Sequence, residues 1–366
     1  MNWEKQFARE QPLLNECLIN EGYTTRAKKE LGWGFKNTAF NIRRGYVTSY
    51  RGASDMRSLG RFIRKRFATE GAIAGACDKI GMYAQEVRAA TETVSGENLN
   101  AKSNSQLLEL FQDACKTYEQ MWSVYTLSVY FEQFLTGRLT ANAVKSIIDL
   151  REEIGGTERN KKALVYADFE RRALGAFAKE VERRTGIDRK LALCATPEEI
   201  TALLGEGTPL DKSGLRERYE HCILVTKNCT TSLLVGSAAR EFEQRELREP
   251  ADVATDEITG TTACAGLATG PAKIILRMTD LGKISPGDVM ITPMTIASYI
   301  PAMRKCAAIV TDEGGVTCHA AIVSREMGVP CIVGTKNATH VFRNGQQLEV
   351  NAETGTISTA KAAIRT

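Results

Sequence analysis

The chain has 366 residues, room for two or three domains, and its 43% hydrophobic and 25% charged residues are the balance of an ordinary soluble globular protein. A formal net charge of +4 is too small over this length to argue for nucleic acid, and no apolar run approaches the ~20 residues that cross a bilayer. The opening MNWEKQFAREQ lacks the apolar stretch of a secretory signal, and the 10 cysteines form no tight framework, so reduced thiols and a cytoplasmic location are expected.

Residues 1–185 predict a mainly helical domain. Met56, Leu59, Ile63 and Phe67 recur at helical spacing after Ser54, read as an N-cap. Leu107, Leu108, Phe111, Cys115, Tyr118 and Trp122 form a second stripe, with Ser103 and Gln106 as a capping box ahead of it. Tyr166, Phe169, Ala173, Phe177 and Val181 form a third. One β-hairpin interrupts the helices, with Ala39–Ile42 and Tyr46–Tyr50 flanking Arg43-Arg44-Gly45. Between Arg43 and Arg66 stand Arg43, Arg44, Arg51, Arg57, Arg61, Arg64, Lys65 and Arg66 against a single acid, Asp55. An anion site is the sharper reading of that cluster. A solvated helix face is favoured, because Arg57, Arg61, Arg64 and Lys65 fall beside the apolar stripe. Tyr46 and Tyr50 could stack on bases, yet Glu-rich segments offset the charge and nucleic acid is not expected as a partner.

Residues 186–254 predict a connector of helix and strand. A short helix opens at Thr196-Pro197-Glu198-Glu199, strands fall at Cys222–Lys227 and Ser232–Val235, and a charged helix runs Ser237–Arg248 before Pro250. The spacing of Cys222 and Cys229, with His221 adjacent, fits no usual zinc site, and no metal is expected. Residues 255–366 change texture. Short β-rich runs at Ala272–Leu276, Val289–Thr292, Ala307–Thr311, Cys331–Val333, Gln347–Asn351 and Thr356–Ser358 alternate with Gly/Pro punctuation. Two helices interleave, around Ser298–Lys305 and over His319–Met327. The residues alone support an α/β sandwich with a histidine at a strand-to-helix turn.

The most informative stretch is Thr311 to Gly334, TDEGGVTCHAAIVSREMGVPCIVG. A glycine turn feeding a helix start aims backbone N–H groups at one point, where the helix dipole adds positive potential. Such a place suits a phosphate, and a histidine within it could carry a phosphoryl group on nitrogen. Imidazole is largely neutral near pH 7 and can attack through one ring nitrogen while the other keeps its proton. Gly314 and Gly315 allow close backbone approach to phosphoryl oxygens, and Thr317 can add a hydroxyl donor. Arg325 lies six residues beyond His319, more than a helical turn away, so packing or a partner contact is as fitting a role as the phosphate. Arg325 and Glu326 are therefore candidates for support only. His340 and His221 carry no motif.

The run Gly314-Gly315-Val316-Thr317-Cys318-His319-Ala320-Ala321-Ile322-Val323, with Arg325-Glu326 and Gly328-Val329-Pro330, resembles the phosphohistidine signature of the PEP-utilising enzymes. The Thr-Cys-His-Ala-Ala wording is most similar to phosphoenolpyruvate synthase, and Ser324 stands where the family usually has Ala. In pattern the resemblance covers about residues 255–360, and more weakly the segment before them. It implies a fold of α plus α/β type: a mainly helical N-terminal region with a hairpin, then a swivelling β/β/α domain over 255–366. It implies that His319 is phosphorylated, with Gly314, Gly315 and Thr317 at the phosphate. It also marks Thr317 as a candidate for regulatory phosphorylation, whose added charge would oppose phosphohistidine formation; helix capping is the favoured role.

Full-length synthases and dikinases carry an ATP-grasp domain and a PEP-binding barrel. The first 250 residues read as helix, contain no G-x-x-x-x-G-K-[ST] loop, and the sequence ends at Thr366, so neither is expected here. The implied protein is a carrier subunit: a separate ATP-grasp protein, holding ATP and magnesium, charges His319, which then serves an acceptor the sequence does not name. No cofactor is expected on the chain itself. Two other readings stay open, a non-catalytic module that keeps the fold as a scaffold and a small-molecule phosphotransferase whose acceptor site lies in the helical domain.

Overall fold

In the computed structural model, residues 1–135, 139–140, 143, 145–147, 150, 154, 165–247, 257–276, 278–315 and 318–360 are described. The chain divides into two compact units, Met1–Gln6 with Glu10–Leu247 and Phe7–Arg9 with Arg248–Thr366.

The first unit combines helices with a five-stranded sheet in the order β1-β3-β2-β4-β5. Its strands are β1 (Trp3–Glu10), β2 (Thr38–Arg43), β3 (Tyr46–Gly52), β4 (Cys222–Lys227) and β5 (Thr230–Val235). The expected hairpin is β2–β3. Arg44 and Gly45 at its tip have φ of 50° and 77°, the two left-handed residues of a type I′ turn. Asn228 and Cys229 turn β4 into β5 in the same way, with φ of 50° and 68°. Cys222 therefore begins one strand while Cys229 sits at its far tip, roughly 20 Å away along the rise of a strand.

Two expectations change here. Residues 186–247, read as a connector, belong to the first unit, because β4 pairs with β2 along five residues and stands inside the sheet. The hairpin expected within 1–185 and the two strands expected near 222–235 thus join one sheet, completed by an edge strand β1 that lacks the alternation that would have exposed it. Residues 248–254 lie outside the described residues. Ser54 is not the N-cap either. The helix Ala53–Arg66 has Gly52 as its N-cap, two residues earlier, and Asp55 turns back to accept the amides of Lys36 and Asn37, both at 2.7 Å.

The helical stripes are core, as their spacing predicts. Leu107, Phe111, Cys115, Tyr118 and Trp122 are buried on Asn104–Leu135 behind the Ser103/Gln106 box, which forms in both directions. Phe169, Ala173, Phe177 and Val181 are buried along a helix whose Phe169–Leu174 segment is a π turn. Pro197–Gly205 carries a full Thr196/Glu199 capping box with Pro at its first position. Of the basic cluster, Arg43, Arg44, Arg57, Arg61, Arg64, Lys65 and Arg66 are exposed, while Arg51 is only 1% accessible.

The second unit is built on an eight-stranded sheet, order β6-β13-β12-β8-β9-β10-β11-β7. The strands are β6 (Glu257–Thr259), β7 (Thr261–Cys264), β8 (Leu267–Ile274), β9 (Val289–Thr292), β10 (Ala308–Thr311), β11 (Cys331–Val333), β12 (Gln347–Asn351) and β13 (Thr356–Thr359). β8, β9, β10 and β11 run parallel, and antiparallel neighbours flank them. Parallel strands need cover on both faces, which explains the buried, mostly apolar runs of β9, β10 and β11. Met290, Ile309, Cys331 and Val333 point to a layer with Ala320, Ala321 and Val323 of the helix His319–Met327 and with Met303. Val289, Ile291, Ala308, Val310 and Ile332 point the other way, into Leu348, Val350 and Ile357 of β12 and β13. The parallel strands are thus packed on one side against the helix His319–Met327 and on the other against side chains of β12 and β13 from the same sheet.

His221, left without a role by sequence, is buried in the first unit and bonds Asn41 Oδ1 through Nε2 at 2.9 Å. Burial, then nearby Arg43, push its pKa below the ordinary value, against the pull of Glu243. The folded chain thus prefers neutral imidazole. This contribution to stability is complete above the unfolded pKa near ~6.5 and is lost as pH falls through the folded value. Denaturant midpoints should drop between pH 7.5 and 5.5, and His221→Gln should flatten that drop.

Candidate functional site

The parallel strands β9, β10 and β11 end at one edge of the second unit, the end where open α/β sheets place their ligands. Three loops follow them and are stitched together by backbone. Asp312 N bonds Thr292 O at 3.1 Å and Glu313 N bonds Pro293 O at 2.9 Å, joining the first loop to the second. Thr335 N bonds Thr311 O at 3.1 Å and Lys336 N bonds Asp312 O at 2.8 Å, joining the second to the third. Asp312 is 3% exposed; its carboxylate takes the Thr339 amide at 3.0 Å and the Thr339 hydroxyl in a short bond. Buried and multiply bonded, it fixes the start of the glycine loop.

His319 opens the helix His319–Met327 at the end of that loop. Its extended N-cap, Cys318, makes no side-chain cap bond, and first-turn amides have no partners within a helix, so N–H groups gather beside the imidazole. The helix stays amphipathic: Ala320, Ala321, Val323 and Ser324 are buried, and Ser324 returns its hydroxyl to Ala321 O at 3.1 Å. Gly328 ends it with φ of 66°.

The histidine is half-buried, with Nε2 shielded from solvent. Its Nδ1 lies 2.7 Å from Thr295 Oγ1, on the loop after β9. Thr295 was missed by the sequence reading. It stands 24 residues before the histidine, and only the parallel pairing of β9 with β10 brings it into range. Attack through Nε2 needs the tautomer with its proton on Nδ1, and Thr295 Oγ1 is an acceptor placed for that proton.

The other named residues separate. Gly314 adopts φ of 100°, and a Cβ there would meet Cys318 Sγ at 2.7 Å, so this position needs glycine on both counts. Gly315 has open space where a Cβ would stand, and its carbonyl accepts Cys318 N at 2.9 Å. Thr317, expected at the phosphate, lies outside the described residues. Arg325 gives its Nε to Ala263 O at 2.9 Å, tying the helix to β7, while Glu326 is exposed. Around His319 the surface is apolar: Met294 and Ile296 flank Thr295, and Ile322 lies one turn along the helix, each 37–44% exposed. A depression of about 390 Å³ beside the third loop is lined by Thr259, Gly260, Gly334, Thr335, Lys336 and Asn337, without the histidine. Among the described residues no cluster of three or more His, Cys, Asp or Glu is arranged to hold a metal.

Residues 284–355 match the family model described as PEP-utilising enzyme, mobile domain. Over these residues the chain is similar to the mobile domain of the PEP-utilising enzymes. Similar proteins include a "Probable phosphoenolpyruvate synthase" of Methanothermobacter thermautotrophicus, 47% identical over 114 residues, 31% of this chain and 17% of that protein. Phosphoenolpyruvate synthase of Pyrococcus furiosus is 43% identical over 134 residues, 37% of this chain and 16% of that one. The enzyme of Synechocystis is 28% identical over 230 residues, 63% of this chain and 26% of its own length. The chain thus spans about a quarter or less of these relatives. The match places the mobile domain on the strands and loops that carry His319.

Two outcomes test the site as built. Gly314→Ala should cost about 1 kcal/mol or more of stability, while Gly315→Ala costs little, a contrast read from denaturation midpoints. Thr295→Val keeps side-chain shape but removes the hydroxyl, costing about 1 kcal/mol. Nitrogen-15 shifts of the His319 ring should then show a smaller share of the Nδ1–H tautomer.

Proposed function

We propose that His319 accepts a phosphoryl group on Nε2 and hands it to an acceptor, so that the second unit works as a carrier. The Thr295–His319 contact supports this reading most strongly, because a hydroxyl accepting from Nδ1–H holds the tautomer that a nucleophilic Nε2 requires. In the charging step the Nε2 lone pair forms an N–P bond as the bond from phosphorus to its leaving phosphate oxygen breaks, and the Nδ1 proton remains on the ring facing Thr295. The helix-start amides and the Gly314 loop are positioned to receive the phosphoryl oxygens. Transfer then breaks the N–P bond in favour of an acceptor oxygen.

In this reading the donor is an ATP-grasp protein acting in trans, which supplies ATP and magnesium and the charge stabilisation that in-line transfer needs. The apolar rim of Met294, Ile296 and Ile322 suits a docking surface for that donor. Since Nε2 is shielded, charging requires its cover to be withdrawn, in keeping with a domain that swivels between stations. A cytoplasmic setting, where ATP is available, belongs to the same proposal. Among the described residues no helix is long and apolar enough to cross a membrane.

The test combines the chain, a candidate ATP-grasp partner and labelled ATP. An acid-labile label should appear on the wild-type chain and vanish in His319→Ala. A label that persists in that variant defeats the proposal.

A further inference from the structure

Arg51 is the exception within the basic cluster. It lies on the face of β3 that carries Val47 and Ser49, opposite Thr38 and Phe40 of β2, and all four of these are buried. Its guanidinium sits over three rings, Tyr23 at 4.6 Å, Phe40 at 5.1 Å and Phe35 at 5.2 Å. Nη1 donates to Ser49 Oγ and to Tyr50 O, each at 2.8 Å. Among the described residues no carboxylate pairs with it. The opposite edge, Nε with Nη2, is the edge that grips a carboxylate through two parallel bonds, and its buried Nε meets no protein acceptor.

A second donor behaves alike. Trp122 packs its ring edge-on against Tyr23, with centroids 5.6 Å apart, and its Nε1 is buried and likewise meets no protein acceptor. Thus two orphan N–H donors, one cationic, flank the same tyrosine ring. A buried cation without a counter-charge is costly, and buried donors are nearly always satisfied. Ring faces recover part of that cost but accept no N–H in the guanidinium plane. Local backbone supports a purposeful enclosure. Tyr23 lies in a π turn, Gly22–Arg26, a distortion frequent at functional sites. Phe35 N bonds Tyr23 O at 3.0 Å, and a Cβ at Gly34 would meet Thr24 O at 2.3 Å, so the loop bearing Phe35 closes tightly over that turn.

We propose that Arg51 and Trp122 form a binding site in the first unit for a small carboxylate with a flat apolar body. Arg51 holds the carboxylate through Nε and Nη2, Trp122 Nε1 adds a third donor, and Tyr23, Phe35 and Phe40 wall the body. The site stands independently of phosphoryl transfer, so its test uses none.

The full chain is titrated with benzoate, benzamide and inorganic phosphate, read by tryptophan fluorescence and by thermal unfolding. Benzoate should quench fluorescence saturably and raise the unfolding temperature; benzamide, without the charge, and phosphate, without the flat body, should bind far more weakly. Arg51→Met should weaken benzoate on the order of thirtyfold or more. Trp122→Phe keeps the ring packing and loses only the donor; it should weaken benzoate about three- to tenfold with the fold intact. Wild-type protein indifferent to benzoate, phosphate binding better than benzoate, or undiminished benzoate binding in Trp122→Phe overturns the assignment, and none of these readouts depends on Arg51→Met folding.

Discussion

The hydrogen bond between His319 and Thr295 depends on parallel strands ending together. β9 and β10 are in register from Val289 with Ala308 to Thr292 with Thr311, so the loops that follow them leave the sheet at one level. Backbone bonds between those loops then leave Thr295 little freedom, and the imidazole opposite it is oriented by a scaffold with both faces packed. Asp312 extends the same arrangement to the third loop. The carrier role proposed for His319 would benefit from such preorganisation, since reacting geometry tolerates little drift.

The glycine loop adds a local constraint of a different kind. Gly314 is required because its backbone is left-handed and because the Cys318 sulfur occupies the space a side chain would need. Gly315 has open space where a Cβ would stand. Of the two neighbouring glycines only Gly314 is required by the loop's geometry. Arg325, spent on the Ala263 carbonyl, holds the helix in place so that this geometry persists.

The first unit depends on burial of polar groups within an aromatic interior. Asp55, Asn37, Asn20 and Thr38 satisfy one another through several hydrogen bonds between loop, sheet and helix. Arg51 differs because its partners are mostly ring faces. On a sheet face otherwise formed by buried Phe40 and Val47, this cation has a buried Nε that no protein acceptor meets.

Much was legible in sequence because short-range physics decides it. Periodicity marked the stripes on Asn104–Leu135, the Thr196 and Ser103 boxes announced their helices, Arg44-Gly45 turned the hairpin, and the His319–Met327 helix falls where its pattern put it. The histidine and its glycines are adjacent in the chain, so their grouping could be read there as well. Thr295, the sheet that draws 186–247 into the first unit, and the burial of Arg51 among seven exposed neighbours of like charge were not legible. Each depends on which strand lies beside which. Pairing across tens or hundreds of residues leaves no local periodicity, so only the folded chain decides what a side chain finally faces.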